Sequence, residues 1–184
     1  MGKNRLFGHN VGEKLPSYHT EDEIGKMLET ANENNQRDYL ILKLFFETGL
    51  RLSELANLQK KHIRFKSKDL EVRDGKGGKD RVVPLITETR NLLQMYLNDR
   101  SDNEQVFKIS KRQIQNIVSK YGELNNIDTH AHKWRHTFAV YSLKQGMDLR
   151  TIQKILGHAS LDTTQIYLEL VTDDIKKEYN KVFE

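Results

Sequence analysis

The 184-residue sequence contains no cysteine, only two prolines and a single tryptophan. Without cysteine, the chain can have no disulfide framework, no thiolate zinc site and no thiol nucleophile. With so few prolines, long helices can run without interruption. No apolar stretch is long enough for a transmembrane helix, and residues 1–16 are too polar for a signal peptide. We therefore expect a cytoplasmic protein with no membrane partner.

Positive charge is concentrated in three internal segments, although the net charge is only +4. Residues 59–81 hold nine Lys and Arg against four Asp and Glu. Residues 108–120 hold four against none, and residues 131–154 hold five against one. Such segments are typical of a phosphate-binding surface but also of ordinary solvated helices, so charge leaves both interpretations open.

Helix caps and apolar spacing predict a mainly α-helical protein. Thr20 with Glu23 and Ser110 with Gln113 are capping boxes, which begin helices over 21–34 and 111–124. Ser53 is the predicted cap of a short helix that ends near residue 58. The remaining predicted helices cover residues 38–48, 87–98, 132–145, 149–156, 160–170 and 172–183.

A small three-stranded antiparallel β-sheet interrupts the helices. The short β-like segments are 62–66, 70–73 and 81–84, and the glycine-rich segment 74–79 predicts a hairpin turn between the last two. Residues 1–16 are predicted to be a flexible segment ahead of one domain over 17–184.

The first half of the chain contains two candidate anion sites, one at Arg51 and one in the hairpin around Lys76. Arg51 lies at a helix junction, where a guanidinium suits an anion but can equally cap carbonyls or pair with an acid such as Glu54. The hairpin around Lys76 has glycines that allow a ligand to approach the backbone. It is not a Walker A loop, and an ordinary glycine turn is the alternative.

A histidine-rich segment follows at residues 130–136. His132 and Arg135 are three apart and share one helical face. Metal binding by the histidines at 130, 132 and 136 lacks nearby carboxylate or cysteine partners. The simplest alternative is a basic helix start with Trp134 in the core.

The last candidate cluster contains His158 and Tyr167. His158 is predicted to lie between two helices, and Tyr167 follows nine residues later. A tyrosine on a helix usually serves in packing. Residues 148–170 also have the arrangement of a helix-turn-helix.

Taken in order, these four clusters resemble the tyrosine recombinase (phage integrase) family over roughly residues 16–171. The resemblance rests on the Arg51 motif, the Gly-Lys-Gly hairpin before Val-Pro-Leu, the His-x-x-Arg-His helix start and the Leu-Gly-His…Thr-Thr…Tyr segment. The interval of 23 residues from Arg135 to His158 also fits. The resemblance implies the tyrosine recombinase catalytic-domain fold and a site-specific recombinase or integrase. Such an enzyme breaks and rejoins DNA through a 3′-phosphotyrosyl intermediate.

The resemblance also implies a set of site residues. The implied catalytic residues are Arg51, Lys76, His132, Arg135, His158 and Tyr167, with Glu54 as a supporting acid. Tyr167 is the implied nucleophile, and Lys76 is the implied general acid with Lys79 as its alternative. DNA contacts are expected from Lys79, Arg81, Lys111, Arg112 and Lys133. The implied reaction exchanges one phosphate ester bond for another, so neither a cofactor nor a metal is expected.

The implied partner is double-stranded DNA, on which a homo-oligomer, expected to be a tetramer, assembles from monomers in free solution. Family members normally carry a separate N-terminal DNA-clamping domain. Sixteen polar residues cannot form one, so we expect the catalytic domain alone. The apolar stripe that includes Tyr179, Val182 and Phe183 should be buried either on its own domain or on a neighbouring protomer.

Three alternatives to the recombinase interpretation remain. A type IB topoisomerase-like nicking and closing enzyme shares the chemistry. A non-catalytic helix-turn-helix DNA-binding module has no need of all six implied catalytic residues. A metal nuclease would need an acidic cluster, which the sequence lacks.

Overall fold

The computed structural model describes residues 16–73 and 80–157, together with six residues near the C-terminus: Thr172, Lys176, Tyr179, Asn180, Val182 and Phe183. The helices are α1 (Glu21–Asn34), α2 (Gln36–Thr48), α3 (Leu52–Ala56), α4 (Thr87–Tyr96), α5 (Lys111–Asn125), α6 (Ala131–Lys144) and α7 (Leu149–Leu156). The strands are β1 (Ile63–Arg64), β2 (Asp69–Val72) and β3 (Arg81–Pro84), in the order β1-β2-β3. The predicted class, mainly helical with a small antiparallel sheet, is confirmed.

Helix α2 forms the centre of the helical core. Its residues Leu40, Ile41, Leu42, Leu44 and Phe45 are fully buried, so the helix is covered on all sides. It packs against α1, α4, α5 and α6. Among the described residues, no helix is both long and apolar enough to cross a bilayer.

The sheet presents one face to the core. Leu70 of β2 pairs with Val83 of β3, and both are buried, whereas Val82 is exposed. Val72 pairs with Arg81, so residues 73–80 connect adjacent antiparallel strands, as the predicted hairpin requires. Residues two apart in a strand share a face, and Arg81 therefore lies on the same face as Val83. The turn residues 74–79, Lys76 and Lys79 among them, lie outside the described residues.

The predicted helix ends in the described residues agree with the structure to within two residues, and the predicted cap at Ser53 is wrong. The capping boxes predicted from Thr20 and Ser110 are present at α1 and α5. Helix α3, however, is capped by Arg51 and not by Ser53, and it ends at Ala56. The reason is that Glu54 Oε2 accepts a hydrogen bond from the backbone N–H of Arg51 at 2.7 Å. This contact makes Arg51 the cap of the helix, two residues before Ser53.

The predicted helix 160–170 lies outside the described residues, as does residue 175 of the last predicted helix. The six described C-terminal residues have helical conformation. Tyr179, Val182 and Phe183 are 59%, 73% and 69% exposed, and the two aromatic rings pack 4.6 Å apart. These three apolar side chains are therefore not covered by their own domain.

Gly49 ends α2 at the point where α2, α6 and α7 meet. Its φ of 59° is left-handed. A Cβ atom there would lie 2.6 Å from both Phe138 Cδ1 of α6 and Leu156 Cδ2 of α7. The absence of a side chain thus allows the three helices to approach closely.

Replacing Gly49 with alanine should destabilise the fold by about 2–5 kcal/mol, because left-handed strain adds to overpacking. Urea denaturation measures this change. Gly25→Ala is the matched control, since a Cβ there meets nothing within 4 Å. In the interior of α1 that substitution should stabilise by about 0.5–1 kcal/mol. A Gly49→Ala chain as stable as the parent would contradict the packing described here.

Candidate active site

Three arginines from separate parts of the chain donate to consecutive carbonyls at the end of α7. Arg81 Nε donates to the carbonyl of residue 155 at 2.5 Å, and Arg135 Nη2 to that of residue 156 at 2.7 Å. Arg51 Nη2 donates to that of residue 157 at 3.4 Å. Carbonyls at a helix C-terminus lack helical partners and carry partial negative charge, which favours cations. The two implied catalytic arginines therefore meet at the residues directly before His158.

Arg135 is the most buried of the three arginines. It extends from α6, which Trp134 anchors in the core as predicted. Its Nη1 donates to the carbonyl of Gly49 at 2.6 Å, while its Nη2 holds the end of α7. One guanidinium thus joins the C-termini of α2 and α7, and its fixed planar geometry sets their separation.

Arg51 lies at the edge of the site with 39% of its side chain exposed. Its Nη1 donates to Glu54 Oε1 at 2.9 Å. The alternative that Arg51 pairs with this acid is therefore confirmed as a contact. The pairing fixes the guanidinium while part of it faces solvent, so the structural contact and a role in anion binding are compatible.

Glu54 lies between two arginines. Arg81 binds it with two hydrogen bonds, Nη1 to Oε1 and Nη2 to Oε2, each 2.8 Å long. The side chains of Glu54 and Arg81 are only 6% and 7% exposed. Burial by itself would raise the pKa of Glu54, but the hydrogen bonds and charges of Arg81 and Arg51 outweigh it and lower that pKa. Glu54 is therefore ionised at neutral pH.

His132 belongs to the first turn of α6, and its ring packs edge-to-face on that of His136 at 4.3 Å. Partial burial and then nearby positive charges, first that of Arg135, hold the pKa of His132 below its ordinary value of 6.5. The charge of Arg51 also contributes, and His132 lies three residues before Arg135 in α6. A histidine of lowered pKa is neutral at physiological pH and can accept a proton.

The metal-binding alternative for the histidines has no support in the described ranges, where no group of three His, Asp or Glu side chains is arranged to hold an ion. His130 instead caps α6, because its Nδ1 accepts the backbone N–H of Lys133 at 3.2 Å.

The predicted DNA-contact residues fall into two groups. Lys111 and Arg112 begin α5 and are exposed. Lys133 is buried and donates to the carbonyl of Asp128 at 2.7 Å, and the Arg81 side chain, 7% exposed, is paired with Glu54. A phosphate contact by either of these two would first have to break an existing interaction, so the geometry does not favour that prediction. Lys76, Lys79, His158 and Tyr167 lie outside the described residues.

Two contacts of the site were not anticipated from sequence, namely the carbonyl of Gly49 and the side chain of Arg81. The burial of Arg81 had a detectable signal. Strand alternation places residue 81 on the same side as Val83, an apolar residue expected to face the core. The backbone carbonyl of Gly49 leaves no such signal, because every residue has one.

The phage integrase family matches residues 17–173, and the chain belongs to this family. A tyrosine recombinase XerA of Pyrococcus furiosus is 39% identical over 185 residues, which cover 94% of this chain and 64% of that protein. A crystal structure of XerA recombinase has a TM-score of 0.80 at 33% identity, covering 93% of this chain and 66% of that one. A XerH site-specific recombinase bound to palindromic difH substrate, in a post-cleavage complex, has a TM-score of 0.78 at 25% identity and covers 93% and 54%. The chain therefore spans less than two thirds of the length of these relatives.

Replacing Glu54 with glutamine should destabilise the fold by about 3 kcal/mol at pH 7, because Arg81 would keep a buried charge without its partner. The lowered pKa means that ionised Glu54 stabilises the fold above its ordinary value of 4.5. That contribution is lost as the pH falls through the lowered folded-state pKa. The gap between parent and Glu54→Gln should therefore close in acid.

Denaturation at pH 7 and at a series of values below 4.5 measures this gap. Glu29→Gln on the exposed side of α1 is the control and should change stability by less than about 0.5 kcal/mol. A gap that stays constant down to acid pH would show that the Glu54 charge is not what stabilises the network.

Proposed function

We propose that this chain is the catalytic domain of a site-specific DNA recombinase, which cleaves and rejoins strands through a 3′-phosphotyrosyl intermediate. The observation that carries the proposal is the convergence of Arg51 and Arg135 on the end of α7, with His132 three residues before Arg135 in α6. Phosphoryl transfer needs preorganised positive donors around the non-bridging oxygens. Guanidinium groups are permanently charged and match that geometry.

In the proposed reaction, Tyr167 attacks the phosphorus, and a Tyr–phosphorus bond forms as the bond to the 5′-oxygen breaks. His132, which is neutral at physiological pH, accepts or relays the tyrosine proton. Lys76 donates a proton to the leaving 5′-oxygen. Arg51, Arg135 and His158 stabilise the charge on the phosphate, and no metal or cofactor takes part. Reversal by the same hydroxyl, or by one from another strand, restores the DNA backbone.

A nicked suicide duplex should trap a covalent adduct with the parent chain. After cleavage near the nick, the short strand that carries the 5′-hydroxyl diffuses away, and the reverse reaction cannot occur. Denaturing electrophoresis measures the adduct. Tyr167→Phe should form none, since it lacks the attacking oxygen. Tyr96→Phe is the matched control, because Tyr96 belongs to α4 and its hydroxyl contacts Arg100, outside the site, and it should react like the parent.

An adduct that persists in Tyr167→Phe would identify another nucleophile. Absence of any adduct from the parent would favour the non-catalytic DNA-binding alternative. Relaxation of supercoiled DNA without strand exchange would favour the nicking and closing alternative.

The proposed DNA-binding surface extends from Arg51 to the start of α5. Helix α3, which Arg51 caps, packs against α5. Lys111 lines a surface depression of about 280 Å³ together with Asn57, which follows α3. Exposed basic residues at the start of α5 therefore lie beside the residue that follows α3, the helix that Arg51 caps. This supports the prediction that Lys111 and Arg112 contact the phosphate backbone.

The double variant Lys111→Gln with Arg112→Gln should weaken DNA binding and flatten its salt dependence. Each lost phosphate contact should reduce the slope of log affinity against log salt by about 0.9. Fluorescence anisotropy across a salt series measures the slope. Lys26 is on the exposed face of α1 and pairs with Asp22, so Lys26→Gln should leave the slope unchanged. An unchanged slope in the double variant would remove both residues from the interface.

The proposal includes assembly of a tetramer on double-stranded DNA from monomers in free solution. The exposed Tyr179, Val182 and Phe183 support it, because an apolar stripe that its own domain leaves uncovered is suited to a neighbouring protomer. Docking of this segment on a neighbour would couple the position of Tyr167 to assembly.

A further inference from the structure

We propose that Arg81 is a positioning residue of the cleavage site, which orients Arg51 through Glu54 and ties strand β3 to the end of α7. The inference rests on the proposed recombinase function. It assigns Arg81 a role other than the DNA contact expected from its charge.

The first support is the chain of contacts from Arg81 to Arg51. The two Nη atoms of Arg81 hold both carboxylate oxygens of Glu54 at 2.8 Å. The same carboxylate accepts from the Arg51 side chain at 2.9 Å and from the Arg51 backbone at 2.7 Å. A bidentate pair fixes the plane of a carboxylate. Arg81 therefore determines the direction in which Glu54 presents its oxygens to Arg51.

The second support is the contact between Arg81 and the end of α7. The Nε atom, which the carboxylate leaves available, donates to the carbonyl of residue 155 at 2.5 Å. Gly157, the left-handed cap of α7, lies so close that an added Cβ would be 3.0 Å from Arg81 Cδ. The guanidinium thus uses its three nitrogens on two separate elements, and a lysine could not reproduce this.

The third support is where Arg81 stands in the chain. It is the first residue of β3, just after the hairpin that carries Lys76, and it contacts α7 just before His158. Arg81 therefore links Glu54, and through it Arg51, to the end of α7. With 7% of its side chain exposed, it is poorly placed to contact a phosphate itself.

The test measures the rate of covalent adduct formation on the nicked duplex at saturating DNA, and separately the affinity for that DNA. Arg81→Gln should lower the saturated rate by roughly 10- to 100-fold, since small misplacements of catalytic groups have effects of this size. Its DNA affinity should stay within about threefold of the parent. Arg90→Gln is the matched control, because Arg90 lies on α4 outside the basic segments and contacts its neighbour Asn91. It should react and bind like the parent.

A double-mutant cycle separates positioning from general destabilisation. If Arg81 acts through Glu54, the variant that combines Arg81→Gln with Glu54→Gln should react no more slowly than the slower single variant. Rates are compared well below each variant's unfolding temperature. Should Arg81→Gln fail to fold, Arg81→Lys carries the test. It keeps the charge but not the forked contacts, so its saturated rate should still fall at least about tenfold.

Two results would overturn the inference. One is a variant that keeps the parental saturated rate but binds DNA more weakly, with a salt slope reduced by about 0.9, as expected for a phosphate contact. The other is additive loss of rate in the double variant, which would mean that Arg81 does not act through Glu54. A parent chain that forms no adduct would instead refute the proposed function, and that result is seen before any variant is compared.

Discussion

The C-terminus of α7 is the point on which the site depends. Carbonyls at a helix C-terminus attract cationic donors, and three arginines donate to those of residues 155–157: Arg51, Arg81 and Arg135. These residues come from the α2–α3 junction, from β3 and from α6, which are far apart in sequence. Each guanidinium binds a backbone carbonyl at the end of α7. The α2–α3 junction, strand β3 and helix α6 are therefore held together at this one place. The implied His158 follows that place directly.

Close approach of the helices makes this arrangement possible. Gly49 lets α2 end against Phe138 and Leu156, and its own carbonyl then reaches Arg135 at 2.6 Å. Apolar packing and the polar site are thus built at the same junction. Crowding in the first would displace the second, because interiors at crystal-like density transmit small shifts.

Charge balance explains how three cations can share so small a space. Glu54 is the buried carboxylate that pairs with two of them, and its pKa is lowered accordingly. Arg135 is held by neutral carbonyls. Within residues 16–73 and 80–157, the hydrogen bonds of these arginines bring one negative charge, that of Glu54, to a group of three positive ones. Donors that are already fixed are suited to an anion, since they need little reorganisation when charge develops.

Local signals in the sequence were sufficient for much of the fold. The capping boxes at Thr20 and Ser110 and the paired strands around the hairpin depend on neighbours within a few residues. Such interactions can be recognised without tertiary structure. The predicted cap at Ser53 was wrong because serine is a common capping residue, whereas the contact between Glu54 and the backbone N–H of Arg51 makes Arg51 the cap.

The sequence by itself was sufficient to identify the candidate site residues. They were found from the Arg51 motif, the histidine segment with Arg135, and the intervals to His158 and Tyr167. It did not determine which cations remain accessible. Lys111 and Arg112 are exposed, whereas Arg81 and Lys133 are buried on acceptors. The physical reason is that a side chain's charge is a local property. Its accessibility depends on distances to carbonyls and carboxylates on other elements, and those distances exist only after the chain has folded.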